Sequence, residues 1–131
     1  MHRFLIVLTL TAASAALPMT AAQAQNADNG KSVFRQVCGI CHTVVAGKNM
    51  VGPSLFGVTG RKSGSLPDFH YSDAMKGSGI TWGEVSFKEF VKNPKAKVPG
   101  TKMVFQGLPK DQDAADVWAY LSGFGADGKK K

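Results

Sequence analysis

The chain has 131 residues, with 16 Lys and Arg against 9 Asp and Glu, for a formal charge of +7. That length holds one domain, and 44% hydrophobic against 19% charged residues excludes a disordered chain. Two cysteines only three positions apart exclude a disulfide scaffold, while the basic excess leaves nucleic acid, an anionic membrane or an acidic protein surface open.

The N-terminus reads as an address. Met1-His2-Arg3 is basic, Phe4 to Leu10 is apolar, and small residues run to Ala22-Gln23-Ala24, the pattern of a secretory signal. A retained membrane anchor is the alternative, but the strongly apolar residues end near Leu17-Pro18, short of the roughly 20 a span needs. The pattern therefore predicts a cleaved signal over 1–24 and a mature domain over 25–131, exported to the periplasm.

A first helix is expected after Asp28-Asn29, either of which could cap it, with Val33, Phe34, Val37 and Cys38 on one apolar stripe. From Ala46 to Gly79 the chain is broken by Gly-Pro, Gly-Arg and Leu-Pro-Asp and reads as loop, apart from a short helix over Tyr71 to Lys76. Another helix is predicted near Val85 to Asn93, with Val85, Phe87, Phe90 and Val91 inward and Pro94 ending it. The last is the clearest. Asp111 can cap it, Ala114, Val117, Trp118 and Leu121 share a face, and Gly123 and Gly125 stop it. No run alternates as a strand would, so the expected fold is all-α with large loops. Fifteen glycines and six prolines suit a chain wrapped around something. The tail Gly128 to Lys131 is expected to fray.

Cys38-Gly39-Ile40-Cys41-His42 is a C-x-x-C-H sequence, the attachment pattern of a c-type haem. Two thiols three residues apart on one turn can reach two vinyl groups of a porphyrin. The next residue, His42, then lies under the iron as a proximal ligand. A redox dithiol would want the same cysteines after a strand in a βαβ unit, and no such pattern surrounds them. Half a zinc site would need two more ligands, and the mature chain offers only His70 and no third cysteine.

The second axial ligand decides what such a haem does: an open iron binds ligands or peroxide, whereas His/Met closure suits electron transfer. The mature chain holds Met50, Met75 and Met103. Met50 follows His42 too closely to wrap the macrocycle, and Met75 sits on a short helix where core filling is usual. Met103, in the rigid turn Pro99-Gly100-Thr101-Lys102-Met103 beside Phe105 and Leu108, is the favoured ligand.

Five ordered motifs carry a family resemblance: Cys38 to His42, Gly52 to Leu55, Gly60 to Gly64, Gly79 to Trp82 and Pro99 to Met103. Over essentially the whole mature chain they resemble class I cytochrome c, close to the mitochondrial protein and its soluble periplasmic counterparts. The resemblance implies a monomer of three to five helices around one covalent haem c. It implies thioethers at Cys38 and Cys41, and His42 and Met103 on the iron. It also implies a Pro53 carbonyl bonded to the far nitrogen of His42, and Arg61, Tyr71 and Trp82 around a haem propionate. Gly30 and Phe34 resemble positions that cross the last helix near Tyr120. Two departures stand out: Phe90 replaces a Tyr that donates to the ligand sulfur, and Met75 replaces an Asn near the iron. Losing the donor lowers the potential and a drier pocket raises it, so a positive potential of ordinary His/Met size is expected.

The function expected is single-electron transfer between exported or membrane-bound redox complexes, with no enzymatic activity; no paired carboxylates and no Ser/His/Asp set occur. The rival is a haem-based ligand sensor or peroxidase-like enzyme with Met103 absent or labile. Between Lys88 and Lys110 lie six lysines against Glu89 alone, a local +5 around Met103. Lys95, Lys97, Lys102 and Lys110, with Lys48, are therefore expected to dock acidic surfaces of redox proteins. A quinol:cytochrome c reductase-type complex and an oxidase or reaction centre fit that description. A plain solvated lysine face is the alternative. Nucleic acid is not expected, because the basic residues lack interleaved aromatics. The sequence does not choose among photosynthetic, respiratory and methylotrophic partners.

Overall fold

Asn26 starts the first helix: its side-chain oxygen accepts from the backbone N–H groups of Asp28 and Asn29, at 3.0 and 3.1 Å. It caps helix α1, Ala27–Val33, so neither Asp28 nor Asn29 is the cap. The computed structural model describes residues 23–125. All but the end of the expected signal segment, and the whole Gly128 to Lys131 tail, lie outside them.

α1 widens into a π-helical turn, Phe34–Cys38, closed by the Gly39 N–H donating to the Phe34 carbonyl at 2.6 Å. The wider turn shifts the helical phase. Phe34 stays buried and Cys38 half-buried, but Val37 rotates out to 38% exposure instead of completing the expected stripe. Four helices follow: α2 (Asp73–Lys76), α3 (Glu84–Lys92), α4 (Pro94–Lys97) and α5 (Asp111–Leu121). An isolated antiparallel bridge joins Lys62 to Thr81 between two of the loops.

α3 buries Phe87, Phe90 and Val91. Val85, expected inward, is 71% exposed, because two residues before Phe87 is the opposite side of a helix. Pro94 does not simply end the helical region; it opens α4 at its first position, where a missing N–H costs nothing. In α5 the expected face is buried, with Val117 and Leu121 fully covered, each contributing about 1.5–3 kcal/mol. Asp111 is the first helical residue and not the cap; its carboxylate meets Lys92 Nζ at 3.1 Å.

α1 crosses α5 where Gly30 lies against the Asp116 and Val117 backbone, and a side chain there would overlap the Asp116 carbonyl. Phe34 meets Tyr120 with ring centres 5.5 Å apart. α3 packs on α5 through Phe87 and Trp118, at 5.2 Å. One apolar core, including Phe34, Trp82, Phe90, Val98 and Leu108, joins these elements. It holds the long loops of residues 39–72 and 98–110 to a single frame.

Candidate cofactor site

The turn after α1 delivers the cysteines and the histidine together. The Cys38 carbonyl accepts from both Cys41 N–H (3.0 Å) and His42 N–H (2.9 Å), which folds Cys41 and His42 back beside Cys38. Both cysteines are unpaired thiols, half-buried. Burial, reinforced by Cys41, pushes the Cys38 thiol up to about 11.

Residues 41–56 then form a bracket beneath the imidazole. Gly52 N–H donates to the Cys41 carbonyl at 2.8 Å and Leu55 N–H to the Thr43 carbonyl at 2.8 Å. Buried Ser54 stiffens the bracket: its hydroxyl donates to the Val45 carbonyl at 2.6 Å, and its N–H donates to Asn49 Oδ1 at 2.9 Å. Pro53 is thereby aimed at the ring, and its carbonyl lies 2.8 Å from His42 Nδ1. With a proton on Nδ1 in that bond, Nε2 keeps a free lone pair. Burial lowers the proton affinity of His42, against the Pro53 bond that raises it, with Arg61 lowering it further. A neutral imidazole is the form that binds a metal.

The Gly60 to Gly64 and Gly79 to Trp82 motifs zip together. Ser63 N–H donates to the Ile80 carbonyl at 2.7 Å, Trp82 N–H to the Arg61 carbonyl at 2.9 Å, and Gly60 N–H to the Trp82 carbonyl at 2.8 Å. Arg61 and Trp82, 21 positions apart, thus become neighbours. Arg61 Nη1 donates to the Phe56 carbonyl at 3.1 Å. Burial chiefly raises the proton affinity of the Tyr71 phenol, and the nearby Arg61 cation opposes it. Trp82 is buried at 9% exposure, its ring 5.2 Å from that of Phe90. Arg61, Tyr71 and Trp82 therefore share one region of the molecule.

Of the methionines, Met50 is 44% exposed, whereas Met75 and Met103 both lean half-buried on the core. Met75 is held in α2, where its N–H donates to Ser72 Oγ at 3.1 Å. Met103 stands in irregular chain, its N–H on Thr101 Oγ1 at 3.3 Å.

A haem fits these residues. Cys38, Val44, Leu55, Met75, Ile80, Met103 and Phe105 face the core, yet protein covers each only in part. Gly52 lets the backbone lie flat on the imidazole: a Cβ there would come within 2.6 Å of Nδ1 and 2.8 Å of Nε2. Half-covered apolar side chains beside a neutral histidine and two free thiols are the donors and walls a covalent porphyrin needs. Two shallow surface clefts lie elsewhere, one beside Glu84 and Lys88, the other beside Ala27 and Phe124.

The sequence reading left out the bracing by Asn49 and Ser54, the contact of Gly52 with the ring, and Asp116. Helical phase gave no signal for Asp116: it lies off the Ala114, Val117, Trp118 and Leu121 stripe and is covered because α1 crosses α5 there. It is 2% exposed and accepts from Asn26 N–H (2.8 Å), Asn29 Nδ2 (2.7 Å) and Gln112 Nε2 (2.8 Å). Those bonds hold its proton affinity below the ordinary carboxylate range, against the raising effect of burial.

Comparison with known proteins agrees with this geometry. A family model described as cytochrome c matches residues 27–124. The chain is 57% identical over 129 residues to cytochrome c-554 of Methylosinus trichosporium, covering 95% of this chain and 96% of the relative. It is 48% identical over 132 residues to cytochrome c2 of Blastochloris viridis, covering all of both. The solved structure of cytochrome cH from Methylobacterium extorquens superposes with a TM-score of 0.70 at 43% identity, over 74% of this chain and 97% of that one. The chain belongs to the cytochrome c family. It has the class I fold, carries haem c bound covalently through Cys38 and Cys41, and is an electron carrier and not an enzyme.

Proposed function

We propose that His42 and Met103 bind the haem iron from opposite faces, making the protein a soluble, exported carrier closed to outside ligands. The observation that carries this reading is the 2.8 Å contact of His42 Nδ1 with the Pro53 carbonyl, which leaves Nε2 as the metal donor. When bound, haem c supplies a one-electron ferric/ferrous couple. The chain does the rest. Cys38 and Cys41 fix the macrocycle, Pro53 orients the imidazole and increases its basicity, and Phe105 with Leu108 excludes water beside Met103. Arg61, Tyr71 and Trp82 supply a cation and polar hydrogens for a propionate, a group costly to bury alone.

Partner docking is assigned to lysines around the Met103 segment. Lys95, Lys102 and Lys110 are exposed, and among the described residues none of them has a carboxylate within ion-pair reach. Lys97, expected in the same face, is bound to Glu89 and contributes less net field. Lys48 is exposed on the loop below His42. An acidic surface on a redox complex, such as a quinol:cytochrome c reductase, an oxidase or a reaction centre, is the matching partner, engaged weakly and steered by charge.

The signal reading assigns Gln25 and Asn26 to the mature domain, where Gln25 Nε2 donates to Glu84 Oε1 at 2.7 Å and Asn26 N–H donates to Asp116 Oδ1 at 2.8 Å. The exported product should then start at Gln25.

Voltammetry of the purified holoprotein, with carbon monoxide added to the reduced form, tests the reading. A positive midpoint and no carbon monoxide adduct are expected. A midpoint well below zero, or a ready adduct, would contradict His/Met ligation.

A further inference from the structure

The segment that carries Met103 is fastened at both ends to the same helix, α3. On the entry side, α4 is capped by Asn93 Oδ1, which accepts from Ala96 N–H at 3.2 Å. Val98, 2% exposed, then receives the Thr101 N–H at 3.0 Å. On the exit side, Leu108 N–H donates to the Val91 carbonyl at 2.8 Å. Gly107, at φ +103°, lies so close to the Lys92 carbonyl that a side chain would collide with it. Between these ends, no hydrogen bond joins residues 104–107 to the rest among the described residues. Met103 is therefore held by its anchors and its packing.

Two ion pairs sit at those anchors, and both start from α3. Glu89 Oε2 pairs with Lys97 Nζ, at the end of α4 just before the segment. Lys92 Nζ pairs with Asp111 Oδ1 at 3.1 Å, at the start of α5 just after it. Glu89 and Lys92 are three residues apart on α3, so their charges lie on one side of the helix.

We propose that these two pairs form a clamp that sets how fast Met103 leaves the iron, with Glu89, Lys97, Lys92 and Asp111 as positioning residues. The proposal rests on Met103 as axial ligand. Opening the segment requires α4 or the start of α5 to move away from α3, and each movement separates opposite charges. Glu89–Lys97 is the stronger half, because its side chains are 53% and 34% exposed against 59% and 69% for Lys92 and Asp111. The clamp also makes ligand lability depend on ionic strength, through exposed charges that salt screens.

Ligand exchange with added imidazole in the ferric holoprotein reads this directly. The Met103 sulfur leaves and a neutral imidazole nitrogen takes its place, with no electron or proton transferred. At saturating imidazole the observed rate is that of Met103 departure. At about 0.01 M ionic strength, Glu89→Gln and Lys97→Gln should each raise it about two- to five-fold. The double variant should be no faster than either single one, and Asp111→Asn should have a smaller effect. At about 1 M salt the wild-type rate should rise to meet the variants. Single variants that exchange at the wild-type rate, or a double variant whose effects multiply, would overturn the clamp. So would thermal midpoints that fall while exchange stays unchanged, since that is the mark of a purely structural role. Survival of the methionine–iron band in Met103→Leu would instead overturn the ligand reading beneath the proposal.

Discussion

His42 Nδ1 lies 2.8 Å from the Pro53 carbonyl, and the residue before that proline, Gly52, rests its backbone on the same imidazole. One dipeptide thus sets both the tautomer and the tilt of the ring. The Gly52 backbone would accept any residue, so its need is steric: only hydrogen fits between chain and ring.

Gly52→Ala should therefore disturb the iron ligand while sparing the helices. The methyl would sit 2.6 Å from Nδ1, well inside contact distance. Either the ring tilts or the 41–56 bracket shifts, and both weaken the Pro53 bond. The variant is expected to give a reduced yield of haem-bearing protein and a shifted midpoint, read by absorbance at constant protein mass and by voltammetry. A variant with wild-type yield and potential would show that the contact sets nothing.

Gly30→Ala tests the crossing of α1 and α5. Its Cβ would overlap the Asp116 carbonyl, a backbone group that no rotamer change can move aside. A loss of about 3 kcal/mol or more in denaturant titration is expected, with little change in haem potential. A loss under about 1 kcal/mol would mean that the helices can part without cost.

Asp116 makes acid stability predictable in sign. Its proton affinity in the folded protein lies below that of an exposed carboxyl, whose pKa is about 3.9. Its contribution is therefore fully present above about pH 4 and is lost as pH falls through the lower folded value. Asp116→Asn should cost about 1.5–3 kcal/mol at neutral pH and flatten the decline in stability between about pH 5 and pH 2. Thermal melts across that range measure both. An unchanged acid profile would remove Asp116 from the account.

Phe90 is 6% exposed, against Trp82, in the core on which Met103 rests. Phe90→Tyr should raise the midpoint, because a hydroxyl donating to the Met103 sulfur draws electron density from the iron. The ceiling is about 60 mV, the equivalent of one hydrogen bond of about 1.4 kcal/mol in a one-electron couple. An unchanged or lowered midpoint would show that the hydroxyl does not reach the sulfur.

The parts legible in the sequence were those with local causes. C-x-x-C-H needs one turn, and the α5 face of Ala114, Val117, Trp118 and Leu121 needs one helix. Parts that depend on distant backbone were not legible. The Asn26 cap competes with two equally suitable residues and is favoured by the Asp116 carboxylate 90 positions away. The π turn that turns Val37 outward leaves no mark in residue type. Val85 misled because hydrophobicity marks what can be buried, while helical phase decides what is. Lys97 looked like one of six free lysines until α4 folded it onto Glu89.

The central claim is that Met103, and not Met75, closes the iron opposite His42. Both lean half-buried on the same core, and the spectroscopic signature of the ligand separates them. The direct measurement is the weak near-infrared band of methionine-to-ferric-iron ligation in the oxidised holoprotein at neutral pH. The band should be present in the wild type, retained in Met75→Leu and absent in Met103→Ala. A band that survives Met103→Ala, or disappears with Met75→Leu, would contradict the account.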